Sequence, residues 1–169
     1  MEVARTHDSL YLYENRKLVP KEYFKFIAQE SSQYIHKLER PNIIEIGCAT
    51  GDFLWYLSQL YPNAQLTGMD VMPALLERAE KEVPTAKFIR GDVNTGVGLP
   101  NTKFDVVFMI GVHSIFDDVA PFLDNTISLA SKGGRVYIFG LFNSLDVDVL
   151  LKARYSDSDG PWESGWNLF

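Results

Sequence analysis

One segment most constrains the fold of this 169-residue chain: a short apolar run, a glycine-rich turn and an amphipathic helix in direct succession. Residues 43–46, Ile-Ile-Glu-Ile, predict a strand buried in a parallel sheet. Gly47 and Gly51 then bound a turn that extended backbone cannot make. In residues 52–60 the apolar side chains recur at helical spacing, and Asp52 opens the helix at the positive end of its dipole. A strand, turn and helix in this order bring backbone N–H groups to the carboxyl edge of a sheet, where ligands bind.

The rest of the chain repeats this alternation of strands and helices. Four further strands are predicted over residues 65–70, 86–90, 104–110 and 135–141. The helices are predicted over residues 20–38, 52–60, from 73 to about 84, over 119–130 and over 143–154. Ser131, Lys132, Gly133 and Gly134 are interpreted as a helix stop. Right-handed crossovers between parallel strands put helices on both faces of the sheet, so the fold class is α/β.

Three motifs along this pattern resemble those of the class I S-adenosylmethionine-dependent methyltransferases. They are Glu45-Ile46-Gly47-Cys48-Ala49-Thr50-Gly51, Met69-Asp70-Val71 and Gly91-Asp92-Val93. The Lys-Gly-Gly before the fifth strand is also similar to that family, and the resemblance covers about residues 41–142. The fingerprint of nicotinamide dehydrogenases, G-x-G-x-x-G, is not met because Ala49 stands where its second glycine would be.

The resemblance implies a three-layer Rossmann-like sandwich whose mainly parallel sheet has the order 3-2-1-4-5. The antiparallel hairpin that the family adds after its fifth strand is apparently missing. We therefore expect one domain in three parts: residues 1–40 as an amino-terminal segment and covering helix, 41–142 as the S-adenosylmethionine-binding core, and 143–169 as a helix and tail. We also expect an amino-terminal fragment of a longer enzyme, since the chain ends on an apolar, aromatic stretch. The alternative is a naturally short chain whose Trp162 and Trp166 pack on the sheet.

The same resemblance assigns a cofactor site, with S-adenosyl-L-methionine as donor and S-adenosylhomocysteine as product. Glu45 and the turn would surround the methionine and ribose, and Asp70 would accept hydrogen bonds from the ribose hydroxyls. The other residues would flank or approach the adenine and the reacting methyl. The complete set is Glu45, Gly47, Cys48, Ala49, Thr50, Gly51, Asp70, Val71, Met72, Asp92, Val93, Ile110 and Gly111. Two alternatives stay open: Asp92 as an ordinary Asp turn, and Glu45 as a core acid with a partner.

Few residues of the sequence are candidates for a direct catalytic role. His113 follows the fourth strand, and its usual pKa suits a general base, although a structural hydrogen bond is the alternative. Asp117 and Asp118 are interpreted as capping residues of the next helix. Tyr11 or Tyr13 is predicted either to line the pocket or to pack on the sheet. The sequence has no His/Cys cluster at zinc spacing, and we predict no metal.

The composition disfavours some classes of binding partner. A net charge of −6 and a pI near 5.0 disfavour a nucleic-acid substrate. A single cysteine and the lack of a long apolar run favour the cytoplasm, away from membranes. We expect methyl transfer to a small molecule, with oxygen favoured. The alternatives are a non-catalytic or truncated S-adenosylmethionine-binding module, or an enzyme for another nucleoside. An exposed fifth strand predicts a covering tail or a homodimer.

Overall fold

The computed structural model describes residues 8–14, 16–157 and 159–169. Five parallel strands form one sheet in the order β3-β2-β1-β4-β5, which confirms the predicted order. The helices are α1 (Glu22–Ile35), α2 (Asp52–Leu60), α3 (Pro73–Glu82) and α4 (Val119–Ser128), with 3-10 turns at Asp8–Tyr13 and His113–Ile115. The strands are β1 (Asn42–Ile46), β2 (Gln65–Asp70), β3 (Lys87–Arg90), β4 (Phe104–Ile110), β5 (Ala130–Phe139), β6 (Lys152–Ala153) and β7 (Glu163–Ser164).

Two apolar cores cover the two faces of the sheet. Side chains of a strand alternate between faces, so Ile43 packs under α1 and α2 while Ile44 packs against the α4 side. Phe53 of α2 lies edge-on to Phe108 of β4, with ring centroids 5.2 Å apart, and both are almost fully buried. Aromatic pairs in this geometry add stability beyond their buried area. The central strands are therefore fixed from both sides, and their carboxyl ends form a rigid edge.

Two helices are shorter than predicted. The first helix is shorter than residues 20–38, and the fourth ends at Ser128. Residues 131–134 do not follow a helix as a simple stop. They bulge out of β5, where the pairing with β4 shifts between Phe104 and Val106. Gly133 has φ +84° in this bulge, a conformation that glycine adopts without steric cost.

The predicted helix over residues 143–154 is wrong. The Asn143 side chain accepts from Leu145 N at 2.8 Å and donates to Val147 O at 2.8 Å, so a local turn replaces the first helical bonds. The following backbone pairs with the end of the chain: Val149 bridges Leu168, and β6 pairs antiparallel with β7. This small ladder stands apart from the main sheet.

The outer edge of β5 is unpaired within the residues described here. The carboxyl-terminal segment does not add a strand there, contrary to one of the coverings expected for this edge. Trp162 and Trp166 also remain more than half exposed, at 59% and 55%. Whether a second copy pairs with the edge stays a prediction. Across the described ranges, no helix has both the length and the apolar character needed to cross a membrane.

Candidate functional site

A cavity of about 850 Å³ opens at the carboxyl ends of β1, β2, β3 and β4. One wall is the edge of the sheet with its turns, and the other is the carboxyl-terminal segment, residues 143–169. The sheet wall includes Gly47, Ala49, Asp70, Val71, Met72, Arg90, Asp92, Val93, Gly111, Ser114 and Phe116, and the second wall includes Ala153, Arg154, Tyr155, Pro161, Glu163 and Trp166. The volume and the mixed lining are those of a small-molecule site.

The glycine turn after β1 is tightly packed against its neighbours. Gly47 N and Cys48 N both donate to Met69 O, at 2.7 and 3.1 Å, which ties the turn to β2. Gly47 has φ +69°, and a Cβ at that position would lie 2.3 Å from Val112 Cγ2. Only glycine fits both the backbone conformation and the space. The side chain of Val112, which also lines the cavity, thus packs directly on the backbone of the turn.

Asp70 connects the turn to the start of α3. Its Oδ2 accepts from Ala49 N at 2.9 Å, and its Oδ1 accepts from Met72 N at 2.9 Å. The side chain is nearly buried yet lines the cavity. The carboxylate therefore positions two segments of the site wall. Its contact with a ribose stays a prediction.

Asp92 forms an Asp turn, the alternative that the sequence left open. Its Oδ1 accepts from Asn94 N at 2.8 Å, and its Oδ2 accepts from the Thr95 hydroxyl at 2.9 Å. Asp92 and Val93 also line the cavity beside β3, so the turn does not remove them from the site. Their role toward an adenine stays a prediction.

Glu45 faces a second, smaller cavity of about 50 Å³. The side chain is buried, and its Oε2 has no hydrogen-bond partner among the residues that the structure describes. Burial raises the pKa of Glu45 well above its ordinary 4.5, the negative charges of Asp70 and Asp52 raise it further, and Lys21 opposes the rise. The small cavity shares Tyr11 and Ala49 with the large one. The partner expected for a buried acid is thus missing within the described chain.

His113 is not brought to the cavity. It is fully buried, its Nε2 lies 2.8 Å from Leu141 O, and its ring stacks on Phe142 with centroids 4.4 Å apart. Ser114, next along the 3-10 turn, lines the cavity instead. These contacts match the structural alternative for His113, which packs the end of β5 against the turn.

The predicted cofactor residues divide between the two cavities. The large one is lined by Gly47, Ala49, Asp70, Val71, Met72, Asp92, Val93 and Gly111. The small one is lined by Glu45, Cys48, Ala49, Thr50 and Ile110. Gly51 lines neither and caps the start of α2 with φ +80°. Of the two candidate tyrosines, Tyr11 lines both cavities, whereas Tyr13 is 86% exposed.

Tyr11 reaches the site because α3 holds the amino-terminal turn. Arg78 of α3 donates to Leu12 O and, at 2.8 Å, to Glu14 O. Lys17 forms an ion pair with Glu82 at the end of the same helix. The sequence did not indicate the contact between Arg78 and Leu12, because no local pattern marks a partner 66 positions away.

The second wall is the part of the site that sequence reasoning missed. Asp117 accepts from Lys152 Nζ at 2.7 Å and from the Ser164 hydroxyl at 2.6 Å, and these two bonds lower its pKa. Asp118, as predicted, caps α4 by accepting from Ala120 N at 3.1 Å. The two aspartates therefore differ in function: one begins a helix, and the other binds β6 and β7 of the tail.

Asn167 fixes the end of that wall. Its side chain is fully buried, donates to Phe116 O at 2.6 Å and accepts from Leu151 N at 2.8 Å. Its backbone N donates to Ser114 O at 2.9 Å. Trp166, which precedes it, has φ +59°, an uncommon conformation for a large residue. The amide thus connects the tail to the turn after β4 and holds Trp166 at the cavity.

A sequence model of a methyltransferase domain matches residues 44–136 of this chain. A malonyl-[acyl-carrier protein] O-methyltransferase of Ilyobacter polytropus is 28% identical over 116 residues, 66% of this chain and 42% of its own length. A trans-aconitate 2-methyltransferase of Methylobacterium radiotolerans is 28% identical over 126 residues, 74% of this chain and 47% of its own length. The chain thus spans less than half the length of these curated relatives.

Two solved structures share the fold. A TehB-like SAM-dependent methyltransferase of Corynebacterium glutamicum superposes with a TM-score of 0.60 at 24% identity, over 78% of this chain and 71% of its own. The plantazolicin methyltransferase BpumL, solved with a pentazolic desmethylPZN analog and SAH, gives a TM-score of 0.61 at 26% identity, over 78% of this chain and 51% of its own. Residues 44–136, which the family model matches, contain the glycine turn and the strands β2, β3 and β4.

Proposed function

Because this chain belongs to the methyltransferase-domain family, within the class I S-adenosylmethionine-dependent enzymes, we propose that it methylates a small molecule, with oxygen as the favoured acceptor atom. The observation that carries the proposal is the large cavity, where residues of all three motifs face a second wall built by the tail. A cavity with two such walls can hold a donor and an acceptor together.

The residues present fit S-adenosylmethionine. At Gly111 a Cβ would meet no protein atom within 4 Å, so the backbone forms the cavity surface there, and at Gly47 the side chain of Val112 packs on the turn. Gly47, Ala49 and Asp70 would hold the methionine and ribose end, and Met72, Asp92 and Val93 the adenine end. When bound, the cofactor supplies a methyl group made electrophilic by its sulfonium.

The contribution of the chain is then mainly positioning. Holding two reactants in attack geometry supplies on the order of 7–11 kcal/mol of the barrier. Asp70 fixes the glycine turn and the start of α3 through its two backbone acceptors. The tail covers the opposite side and limits the entry of water. Such a site needs no strongly perturbed base at its centre.

The acceptor would bind against Phe116 of the sheet wall and Tyr155 and Trp166 of the tail wall. Their rings offer an apolar surface for the body of a small molecule. Relatives are named for a malonyl group on a carrier protein and for trans-aconitate, and the cavity of this chain includes Arg90 and Arg154, which suit carboxylates. A carboxylic acid is therefore the first acceptor class to test.

A second candidate function is a binding module that holds the cofactor without methylating anything. The length of the relatives favours it, since this chain matches less than half of each. The tail wall favours the enzyme, since a module has no need for an acceptor surface. Methyl transfer separates the two, whereas cofactor binding alone is expected of both.

Cofactor binding is tested by thermal unfolding with S-adenosylhomocysteine. At about a hundredfold its dissociation constant, the product should stabilise the protein by roughly 2.7 kcal/mol, and NAD should not. Gly111→Leu, which projects into the cavity, should abolish most of this shift. Gly133→Leu is the matched control, because Gly133 also has a positive φ and open space but lies in the β5 bulge. Equal shifts in both variants, or none in the wild type, would refute the proposed site.

Methyl transfer is tested with S-adenosylmethionine carrying a radiolabelled methyl and separate pools of carboxylic acids, phenols and amines. Transfer to an acid gives a methyl ester, which alkali hydrolyses to labelled methanol, whereas methyl ethers and methylamines resist. Labelled product in any pool supports the enzyme. Cofactor binding with no transfer to any pool supports the module.

A further inference from the structure

The small cavity beside Glu45 contains the one buried acid of the site that has an unpaired oxygen in the described residues. Glu45 lies in β1, two residues before Gly47, on the face that packs against α1 and α2. Its neighbours Ile44 and Ile46 face the other side. An isolated carboxylate in such a position is strongly disfavoured, because burial removes the water that stabilises its charge.

The charged groups around Glu45 increase this cost. Asp70 at the end of β2 and Asp52 at the start of α2 are both acidic, and among the described residues the cation that lowers the pKa of Glu45 is Lys21, ahead of α1. Lys21 is already paired with Glu14, with Nζ and Oε2 2.9 Å apart. The titratable groups around the small cavity are Tyr11, Lys21, Tyr23, Glu45, Cys48 and Asp52, with Asp70 beyond the turn.

The small cavity adjoins the proposed cofactor site. Tyr11 and Ala49 line both spaces, and Ala49 N is held by Asp70. S-adenosylmethionine carries two positive groups, a sulfonium and an ammonium, and either one near the turn would favour a negative Glu45. S-adenosylhomocysteine keeps the ammonium and has lost the sulfonium charge.

We propose that Glu45 holds a proton when the site is empty and releases it to solvent when S-adenosylmethionine binds. Cofactor binding is then coupled to pH: affinity rises with pH up to the pKa of Glu45 in the empty protein and is level above it. The proton leaves the Glu45 carboxyl for buffer, and no bond of the cofactor changes. This inference rests on the proposed function, because it requires the cofactor to bind beside the turn.

The test is calorimetric titration of the full chain with S-adenosylmethionine, at fixed pH, in phosphate and in Tris. A released proton is taken up by the buffer, so the observed heat should differ between the two buffers by their difference in ionisation heat. We expect release approaching one proton per cofactor at pH values that lie above the pKa of Glu45 in the complex and below its pKa in the empty protein. Glu45→Gln should bind with the same heat in both buffers. Asp52→Asn, altered at the other acid of the small cavity, should keep the release.

Two further measurements do not depend on the folding of Glu45→Gln. Infrared difference spectra of the wild type should lose the C=O band of a protonated carboxylic acid when the cofactor is added. The stability of the empty protein should also fall as pH rises through the raised pKa of Glu45, because the proton is bound more tightly in the folded state than in the unfolded one.

Binding of the cofactor without proton release and without loss of that band would overturn this inference alone. Absence of any binding by the wild type would overturn the proposed function as well. Release that persists in Glu45→Gln and disappears in Asp52→Asn would assign the proton to Asp52 and contradict the proposal.

Discussion

The glycine turn, residues 47–51, and the carboxyl-terminal segment, residues 143–169, build opposite walls of one cavity in different ways. The turn is held by backbone amides and one carboxylate, inside a sheet whose central strands are buried. The segment is held by side-chain hydrogen bonds, from its Lys152 to Asp117 and from its Asn167 to Phe116 O. The side chains of Leu145, Val147 and Trp162 in the segment are exposed. We therefore expect the turn to unfold only with the global fold and the segment to open by itself.

The largest effect is expected from Asp70→Ala, which breaks the turn. Two backbone donors, Ala49 N and Met72 N, lose their acceptor, and each unpaired donor costs on the order of 1–3 kcal/mol. We expect roughly 2–4 kcal/mol less stability in urea unfolding and loss of the shift with S-adenosylhomocysteine. Asp92→Ala is the control, since its turn lies in a more exposed loop. Equal losses in the two variants would contradict the special position of Asp70.

Gly47→Ala should have the next largest effect. The alanine pays for a left-handed conformation, about 1–2 kcal/mol, and its Cβ would overlap Val112. Gly133→Ala has a similar φ with no atom within 4 Å, so only the conformational cost applies. Urea unfolding should therefore rank Gly47→Ala well below Gly133→Ala in stability. The same stability for both would mean that Val112 moves aside freely.

Asn167→Ala should separate the two walls. The substitution removes the bonds to Phe116 O and Leu151 N, at about 1–2 kcal/mol, and this loss should fall on the tail. Limited proteolysis is expected to cut within residues 143–169 faster, while urea unfolding of the sheet is unchanged. Asn143→Ala is the control, because its side chain bonds only inside its own turn. A loss of global stability would show that the tail and the sheet unfold as one unit.

The smallest effect is that of pH on Asp117. Its pKa is lowered from an ordinary 3.8 by the bonds from Lys152 and Ser164. A lowered acid pKa stabilises the folded tail above pH 3.8, and this contribution disappears as pH falls through the folded-state pKa. The group is nearly half exposed, so the effect should stay below about 1 kcal/mol and shrink in salt. Tail cleavage by an acid-stable protease should rise over that pH range in the wild type and not in Asp117→Asn.

The same contrast explains what could be predicted from the sequence. The strands and the glycine turn of the core could be predicted from local patterns of apolar residues and glycines, and the sheet order from the resemblance to the methyltransferase family. The tail does not, because its form depends on partners far along the chain, such as Lys152 with Asp117 and Leu151 with Asn167. Residues 143–154 have an apolar content that suits a helix, and the Asn143 turn, the bridge from Val149 to Leu168 and the pairing of β6 with β7 exclude one.

Within the site, the position of a residue after a strand indicated that it would lie at this edge of the sheet. It did not indicate which groups of the protein the side chain would bind. Asp70 and Asp92 follow strands and lie at the cavity as expected, yet both already accept hydrogen bonds from the protein. His113 follows β4 and faces inward, because a 3-10 turn rotates its side chain toward Leu141 while Ser114 lines the cavity. No sequence pattern indicates which residue of such a short turn faces the cavity.

Because Cys48 is buried, the reaction rate of its thiol can report how fast the protein opens. The thiol is 3% exposed, its pKa is raised by burial, and a Cβ on Gly68 would lie 2.7 Å from its Sγ, so alkylation should be slow in the native state. Because the protein has one cysteine, thiol labelling should report the openings that expose the glycine turn after β1. The rate of that reaction, followed by mass, would time the opening of the glycine turn without adding a probe.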